Sequence, residues 1–347
     1  MVQKKQHSCL DRFKQTIRNT YSQHVFSHSP CLTNRYDNKN AWCLPLKEAK
    51  AISPGHITGF FQICDQPNDP LLKGSRGAGV SITRGVTTKV GIEKSAKTSV
   101  EILINGNVAK SALVSEYVVN AFLSRIEESY EVLVEHDVEV PIGCGFGSSG
   151  AGALSLALAL NKVLNLNLSR LETAQIAHIA EVECKTGLGT VIAETFGGLE
   201  IRVKPGGPGV GEIISIPIKQ DYVVACLNLG SISTKSILTE ETFRQRMDEF
   251  GGDLVYELVR HVTTDNFMEF SRKFAEHIGL ISKRLRAVFE ETDSAGLRCS
   301  MAMLGETVFS VVKRDRVEEV HEIFNKHAPS ERNVIIAEID FQGARLL

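Results

Sequence analysis

The sequence has no CxxC pair, no apolar run of transmembrane length and almost no excess of charge of either sign. Its eight cysteines (Cys9, Cys31, Cys43, Cys64, Cys144, Cys184, Cys226 and Cys299) are scattered. That scatter argues against a zinc site or a disulfide framework and fits small buried thiols in a reducing compartment. No stretch reaches the roughly 18 residues of a membrane-spanning helix, and no signal-peptide core follows the N-terminus. A cytoplasmic protein without a membrane partner is therefore expected. A net charge of −2 gives no reason to expect a nucleic-acid partner, although a few focused arginines suffice for a small anionic substrate. No Gly-Lys-Ser or Gly-Lys-Thr follows the glycines, so a Walker A loop is absent as well.

What is present suits a globular protein. Over 347 residues, 43% are hydrophobic and 23% charged, enough for two domains around one cleft. Residues 1–45 stand apart, with seven Lys/Arg against two Asp/Glu, three histidines and little apolar periodicity. They read as a flexible N-terminal extension. From about Trp42 the pattern becomes regular. Ala78 to Ile82, Val86 to Ile92 and Ser99 to Ile104 read as strands, with Asn105-Gly106 as a hairpin turn. Ser111 to Ser129 reads as a helix, Val138 to Pro141 as a short strand, and Ala151 to Val163 as a helix apolar enough to be buried on most sides. Ser169 and Glu172 form a capping box for a helix running through Lys185 to Gly187. Leu199 to Val203 reads as a strand, and a second region opens at about Ile213. There, strands at Tyr222 to Asn228, Thr307 to Val312 and Val334 to Ile339 alternate with helices over Thr239 to about Glu291 and Arg316 to His327. The mixture predicts α+β layers in both halves.

The chemistry concentrates in Pro141 to Gly152, between a strand and a buried helix. Glycines let backbone N–H groups crowd around phosphate oxygens, and the helix that follows adds its free N–H groups and positive dipole end. Ser148 and Ser149 place hydroxyls where phosphate or a phosphate-bound Mg²⁺ would be. Gly145-x-Gly147-x-x-Gly150 also fits the dinucleotide fingerprint. That motif, however, wants a strand carrying an acid about 20 residues on, and here the chain leads into another helix. Downstream, His178, Glu181 and Lys185 share one face of the capped helix.

Pro141 to Gly150 matches every fixed position of P-x-x-x-G-[LF]-G-S-S-[AG], the second motif of the GHMP kinase superfamily, which this chain resembles. Ser53 to Phe60 resembles the first motif, and Gly296 to Phe309 stands where the third falls. The strings PGHITGFF at Pro54 to Phe61, GSRGAGV at Gly74 to Val80, TGLG at Thr186 to Gly189 and RCSMAMLGETVF at Arg298 to Phe309 are most similar to the archaeal pantoate kinase family. The resemblance spans about residues 46 to 347. It implies a ribosomal protein S5 domain 2-like ATP-binding domain over 46–212 and a ferredoxin-like domain over 213–347. It also implies ATP-dependent phosphorylation of (R)-pantoate at its 4-hydroxyl, in the archaeal route to coenzyme A, and it allows a homodimer.

By the same resemblance, Pro141, Gly143, Gly145, Gly147, Ser148, Ser149 and Gly150 hold ATP. Ser149 and Glu181 hold Mg²⁺. Many superfamily members carry an Asp ahead of a Gly-Gly pair as the base. Counting back from Gly197-Gly198 lands on Thr190, whose hydroxyl can orient an acceptor but not deprotonate it at neutral pH. A pantoate carboxylate calls for arginine. Arg76, read as lying in a glycine-flanked loop, and Arg298, beside Met301, Met303 and Leu304, are the candidates, with His56 and Thr58, read as part of a first-motif loop, in support. Two alternatives stay open: another GHMP kinase acting on homoserine, shikimate or mevalonate, and a non-catalytic nucleotide-binding homologue.

Overall fold

A computed structural model describes residues 47–232 and 241–347. The N-terminal extension and most of the Ser231 to Lys235 turn lie outside the described residues. The chain begins with two long antiparallel strands, β1 (Lys47–Cys64) and β2 (Gly74–Lys94). They form the spine of an eight-stranded sheet with β3 (Ser99–Ile104), β4 (Asn107–Val108), β5 (Tyr130–Val138), β6 (Leu199–Lys204), β7 (Glu212–Ser215) and β12 (Arg345–Leu346). The path runs β12-β1-β2-β5-β3-β4, and β6 also pairs with β2 and carries β7. The first motif, read in the sequence as a loop, is instead the middle of β1. Pro54 is accommodated because the register with β2 shifts between Pro54 and Gly55, and proline is tolerated in sheets at such irregularities. Arg76 likewise sits within β2, opposite Gln62, and not in a loop.

Four helices belong to this half: α1 (Leu113–Leu123), α2 (Ser148–Val163), α3 (Arg170–Cys184) and α4 (Thr190–Phe196). The helix expected to run to Ser129 stops at Leu123. The residues after it form β5, whose Val132, Val134 and His136 alternate inward. α2 packs on β1 and β2 and touches the other three helices, which accounts for its Ala/Leu composition. The capping box holds as read: Ser169 Oγ accepts from Glu172 N, and the Glu172 carboxylate accepts from Ser169 N.

The second sheet has the order β11-β8-β10-β9, from β8 (Tyr222–Ser231), β9 (Ser300–Met301), β10 (Gly305–Lys313) and β11 (Val334–Glu338). Its helices are α5 (Glu241–Arg260), α6 (Thr264–Ile278), α7 (Lys283–Ser294) and α8 (Val317–His327). One hydrophobic cluster runs from Ile57 and Phe60 of β1 through Phe267 and Phe274 of α6 to Phe309 and Phe324. The two sheets thus hold the elements that carry the motifs against a shared core.

Behind α2 lies a buried polar network. His136 shares a hydrogen bond with Thr88 Oγ1 through Nδ1 (2.8 Å) and with Ser115 Oγ through Nε2 (3.0 Å), and Thr88 in turn bonds Ser155 Oγ at 2.6 Å. Burial holds the imidazole neutral, lowering its pKa to about 4. The unfolded chain would protonate near 6.5, so between pH 6.5 and 4 it binds the extra proton and the fold loses up to about 3 kcal/mol from this group. We predict that stability measured by chemical denaturation falls across that window. In His136→Gln, which keeps hydrogen-bonding capacity without titrating there, that part of the pH dependence disappears.

Candidate active site

The loop between β5 and α2 is built on glycines that must be glycine. Gly143, Gly145 and Gly147 take φ values of +75°, +88° and +67°, where any side chain is strained. A Cβ on Gly145 would stand 3.1 Å from Ala302 Cβ and from Met303 O, and one on Gly147 would meet Thr190 and Glu194. Gly147 is also the residue from which α2 starts, and no side chain caps that terminus. The first-turn N–H groups are therefore free for an anion.

All three motif regions converge here. From β1, His56 N donates to Phe146 O at 2.9 Å. From the third motif, Thr307 Oγ1 donates to Cys144 O at 2.8 Å, and Met303 N donates to Thr58 O at 2.9 Å. The loop is clamped from both sheets, and this fixes the direction its glycine N–H groups face.

Ser149, in the first turn of α2, donates to Glu181 Oε1 at 2.5 Å, and Thr186 Oγ1 donates to the same oxygen at 2.7 Å. Glu181 is buried, and desolvation raises its pKa against the pull of the two hydroxyls. Two of the three residues on the polar helix face, His178 and Glu181, thus point inward. His178 is buried with Nε2 on the carbonyls of Pro70 and Lys73, while Lys185 is exposed and terminates α3. The Glu181 carboxylate and Ser149 hydroxyl are hard-oxygen ligands suited to phosphate-bound Mg²⁺, which takes one or two carboxylates from the protein and further oxygens from phosphates and water. The uncapped terminus beside them offers N–H donors to the phosphate.

The substrate candidates separate. His56 is buried in β1, with Nε2 3.0 Å from Glu200 Oε1 and Nδ1 3.3 Å from Thr58 Oγ1. Arg76 donates through Nε to Val203 O and through Nη1 to Gln62 Oε1, both at 3.1 Å. Arg298 is more than half exposed, and its guanidinium contacts Asp265 O and the Glu269 carboxylate on α6. None of these contacts is with the loop, so the structure does not bring Arg298 together with the other candidates. Met303 does reach the loop, through the Gly145 contact described above.

Sequence reasoning missed Glu194, Glu200 and Arg202. Arg202, 1% exposed, donates from Nη1 to Glu200 Oε1 at 2.5 Å, while its Nε has no partner. That Nε lies 3.0 Å from where a Cβ of Gly189 would stand, next to Thr190. The signal was available: Glu200 and Arg202 share one face of a strand whose other face is Leu199, Ile201 and Val203, and a charge inside a core requires a partner. Glu194 is fully buried on α4 with both carboxyl oxygens unpartnered.

The GHMP kinases N terminal domain model matches residues 107–198. The chain is 36% identical to a pantoate kinase of Methanocaldococcus jannaschii over 77% of this chain and 94% of that protein. It is 34% identical to a pantoate kinase of Thermococcus kodakarensis over 80% and 91%. A solved phosphotransferase related to the CoA biosynthesis pathway superposes with a TM-score of 0.77 at 32% identity, over 86% of this chain and 98% of that one. The fold is the α+β GHMP kinase architecture that the motifs implied, and the chain belongs to the pantoate kinase family of the GHMP kinases.

Proposed function

We propose that this protein transfers the γ-phosphoryl group of ATP to the 4-hydroxyl of (R)-pantoate, giving 4-phosphopantoate for coenzyme A synthesis. The observation that carries the reading is the Ser149–Glu181 pair at the uncapped start of α2, with the buried, partly unpartnered Arg202 near Gly189. In this reading the loop from Pro141 to Gly150 holds the triphosphate through backbone N–H groups, and Ser148 adds a hydroxyl. Ser149 and Glu181 hold Mg²⁺, which when bound supplies charge neutralisation on the phosphates. Arg202 takes the substrate carboxylate through its free Nε edge, with His56 and Glu200 fixing its orientation. Arg76, engaged with Val203 O and Gln62, lines the neighbouring strand. Thr190 orients the acceptor hydroxyl. Phosphoryl transfer asks mainly for positioning and charge neutralisation, which these groups provide.

The five described cysteines, all free, fit a reducing cytoplasm, and among the described residues no helix is long and apolar enough to cross a membrane. The intact Ser149–Glu181 pair speaks against a homologue that only binds nucleotide.

The direct test is ADP release by purified protein across a panel of hydroxy acids, with and without Mg²⁺. We expect Mg²⁺-dependent turnover that prefers pantoate. Robust turnover of homoserine, shikimate or mevalonate with none of pantoate would defeat the substrate assignment. Glu181→Gln keeps an oxygen for the Ser149 and Thr186 hydroxyls but loses the charge, so it should fold and lose about 10²–10³ in kcat. Arg202→Lys should raise the KM for the hydroxy acid about 30-fold or more, the cost of breaking a buried charge contact. Arg298→Ala should leave that KM within about twofold, since exposed ion pairs contribute little.

A further inference from the structure

Four acids are buried among the described residues: Glu181, Glu194, Glu200 and Asp340. Glu181 accepts from two hydroxyls, Glu200 holds His56 and Arg202, and Asp340 is paired with Arg345. Glu194 alone has nothing on either oxygen. An orphaned, fully buried carboxyl is costly to retain, and its surroundings are those of the transfer site.

Thr190 and Glu194 lie at i and i+4 on α4, on one face of the helix. Both press the rear of the glycine loop. The Cβ position of Gly147 is 2.6 Å from Thr190 Cγ2 and 2.7 Å from Glu194 Oε1, and that of Gly150 is 2.9 Å from Glu194 Oε2 and 3.3 Å from Thr190 Cβ. The Thr190 hydroxyl lies on the other side: the Cβ position of Gly187 is 2.3 Å from Glu181 Oε2 and 3.7 Å from Thr190 Oγ1. Half-buried Thr190 therefore stands in front of Glu194, its methyl and that carboxyl facing the same point. Position 190 is where the family resemblance places an acid.

We propose that the missing acid has moved one helical turn, and that Glu194, acting through Thr190, accepts the proton the acceptor hydroxyl releases. Threonine in a helix uses two χ1 rotamers, and the relay requires the one that turns the hydroxyl toward the face where the methyl now meets Glu194. As the acceptor oxygen bonds to the γ-phosphorus, the bond from that phosphorus to the β,γ-bridging oxygen breaks and ADP leaves. The acceptor proton passes to Thr190 Oγ1 while the Thr190 proton passes to the Glu194 carboxylate. The same route, reversed, returns the proton to solvent as the products depart. Glu194 must be ionised to accept. The charges bearing on it are Glu181 from α3 and Glu200 from β6, the latter bonded to Arg202 and His56. Together with burial, the two acids favour the protonated form, so the transfer rate should rise with pH above the ordinary carboxylate range.

This inference rests on the kinase reading, and the experiment separates the two. Steady-state kinetics with ATP and pantoate are measured from pH 5.5 to 9 for wild type, Glu194→Gln, Thr190→Ser and Thr190→Val. Wild type and Thr190→Ser should show kcat rising with pH to a plateau. Glu194→Gln and Thr190→Val should lose about 10²-fold or more in kcat, keep KM for ATP within about twofold, and lose the rising limb. If the Gln variant does not fold, the nearly isosteric Thr190→Val carries the same readout. A Glu194→Gln protein that keeps kcat and the limb overturns the proposal. So does one whose kcat falls with a raised KM for ATP and an unchanged limb, because the acid would then only support the loop. A wild type that spares pantoate but phosphorylates another hydroxy acid defeats the substrate assignment alone, and the variants are then compared on that acceptor. A wild type that transfers to none overturns both.

Discussion

A helix that begins on a left-handed glycine cannot cap its own first turn. The N–H groups at the start of α2 have no side-chain acceptor at Gly147, and leaving such donors unmade costs about 1–3 kcal/mol each where water is excluded. In the proposed reading an incoming phosphate takes up these donors in place of solvent, which reaches Gly147 to Ser149 in the free protein. His56 N bonds Phe146 O and Thr307 bonds Cys144 O, so two of the loop carbonyls are occupied and tie the loop to both sheets. Its burial against β1, β2 and three other helices leaves α2 little freedom to tilt. The His136 network holds it from behind through Ser155, whose Oγ also donates to Ala151 O within α2.

Around that terminus the electrostatics are unbalanced by design of the site rather than by accident of packing. Glu181 and Glu200 raise the cost of ionising Glu194, and Arg202 is the buried guanidinium paired with Glu200. In a medium of low polarity such a cluster weakens the fold unless each charge is paired. Glu200 is paired. Glu181 is held by two hydroxyl donors, which stabilise a carboxylate less than a cation would. The cluster therefore has unused capacity for positive charge at Glu181 and for negative charge at Arg202. In the proposed reading a divalent cation at Glu181 and a substrate carboxylate at Arg202 match those two capacities in sign.

The legibility of all this in the sequence follows from how local each cause is. The glycine loop and the capping box of α3 depend on residues a few positions apart, so both were readable as local structure. Helical spacing placed Glu181 on a polar face with His178 and Lys185, and the resemblance singled it out; the structure buries His178 and Glu181 of that face. β1 was not readable in its middle, because Ser-Pro-Gly is a turn signal unless a partner strand shifts register around it. β5 was hidden for a related reason: the acidic run before it suits a helix, and its alternation matters only once Val132 and Val134 have a core to face. The two arginine candidates show the limit more sharply. Arg298 is adjacent in sequence to the third motif, but its side chain leaves on the α6 side. Arg202 lies in no motif and owes its place in the site to Glu200, His56 and the close approach of Gly189, which are contacts of tertiary origin.

Thr190 is the point at which these threads meet. An aspartate there would set a carboxyl against the same Gly147 position that Glu194 already faces, adding a fourth acid to a cluster with one buried guanidinium. Like charges at that range cannot both ionise without large cost, so one of the two would remain protonated and gain nothing as an acid. A threonine avoids that conflict. It fills the same volume at the rear of the loop with a methyl group and keeps a hydroxyl on the Glu181 side. It leaves the carboxyl one turn deeper, where no solvent competes for it. On these grounds a threonine at 190 is compatible with the buried acid at 194 behind it, as an aspartate there would not be without one of the two staying protonated.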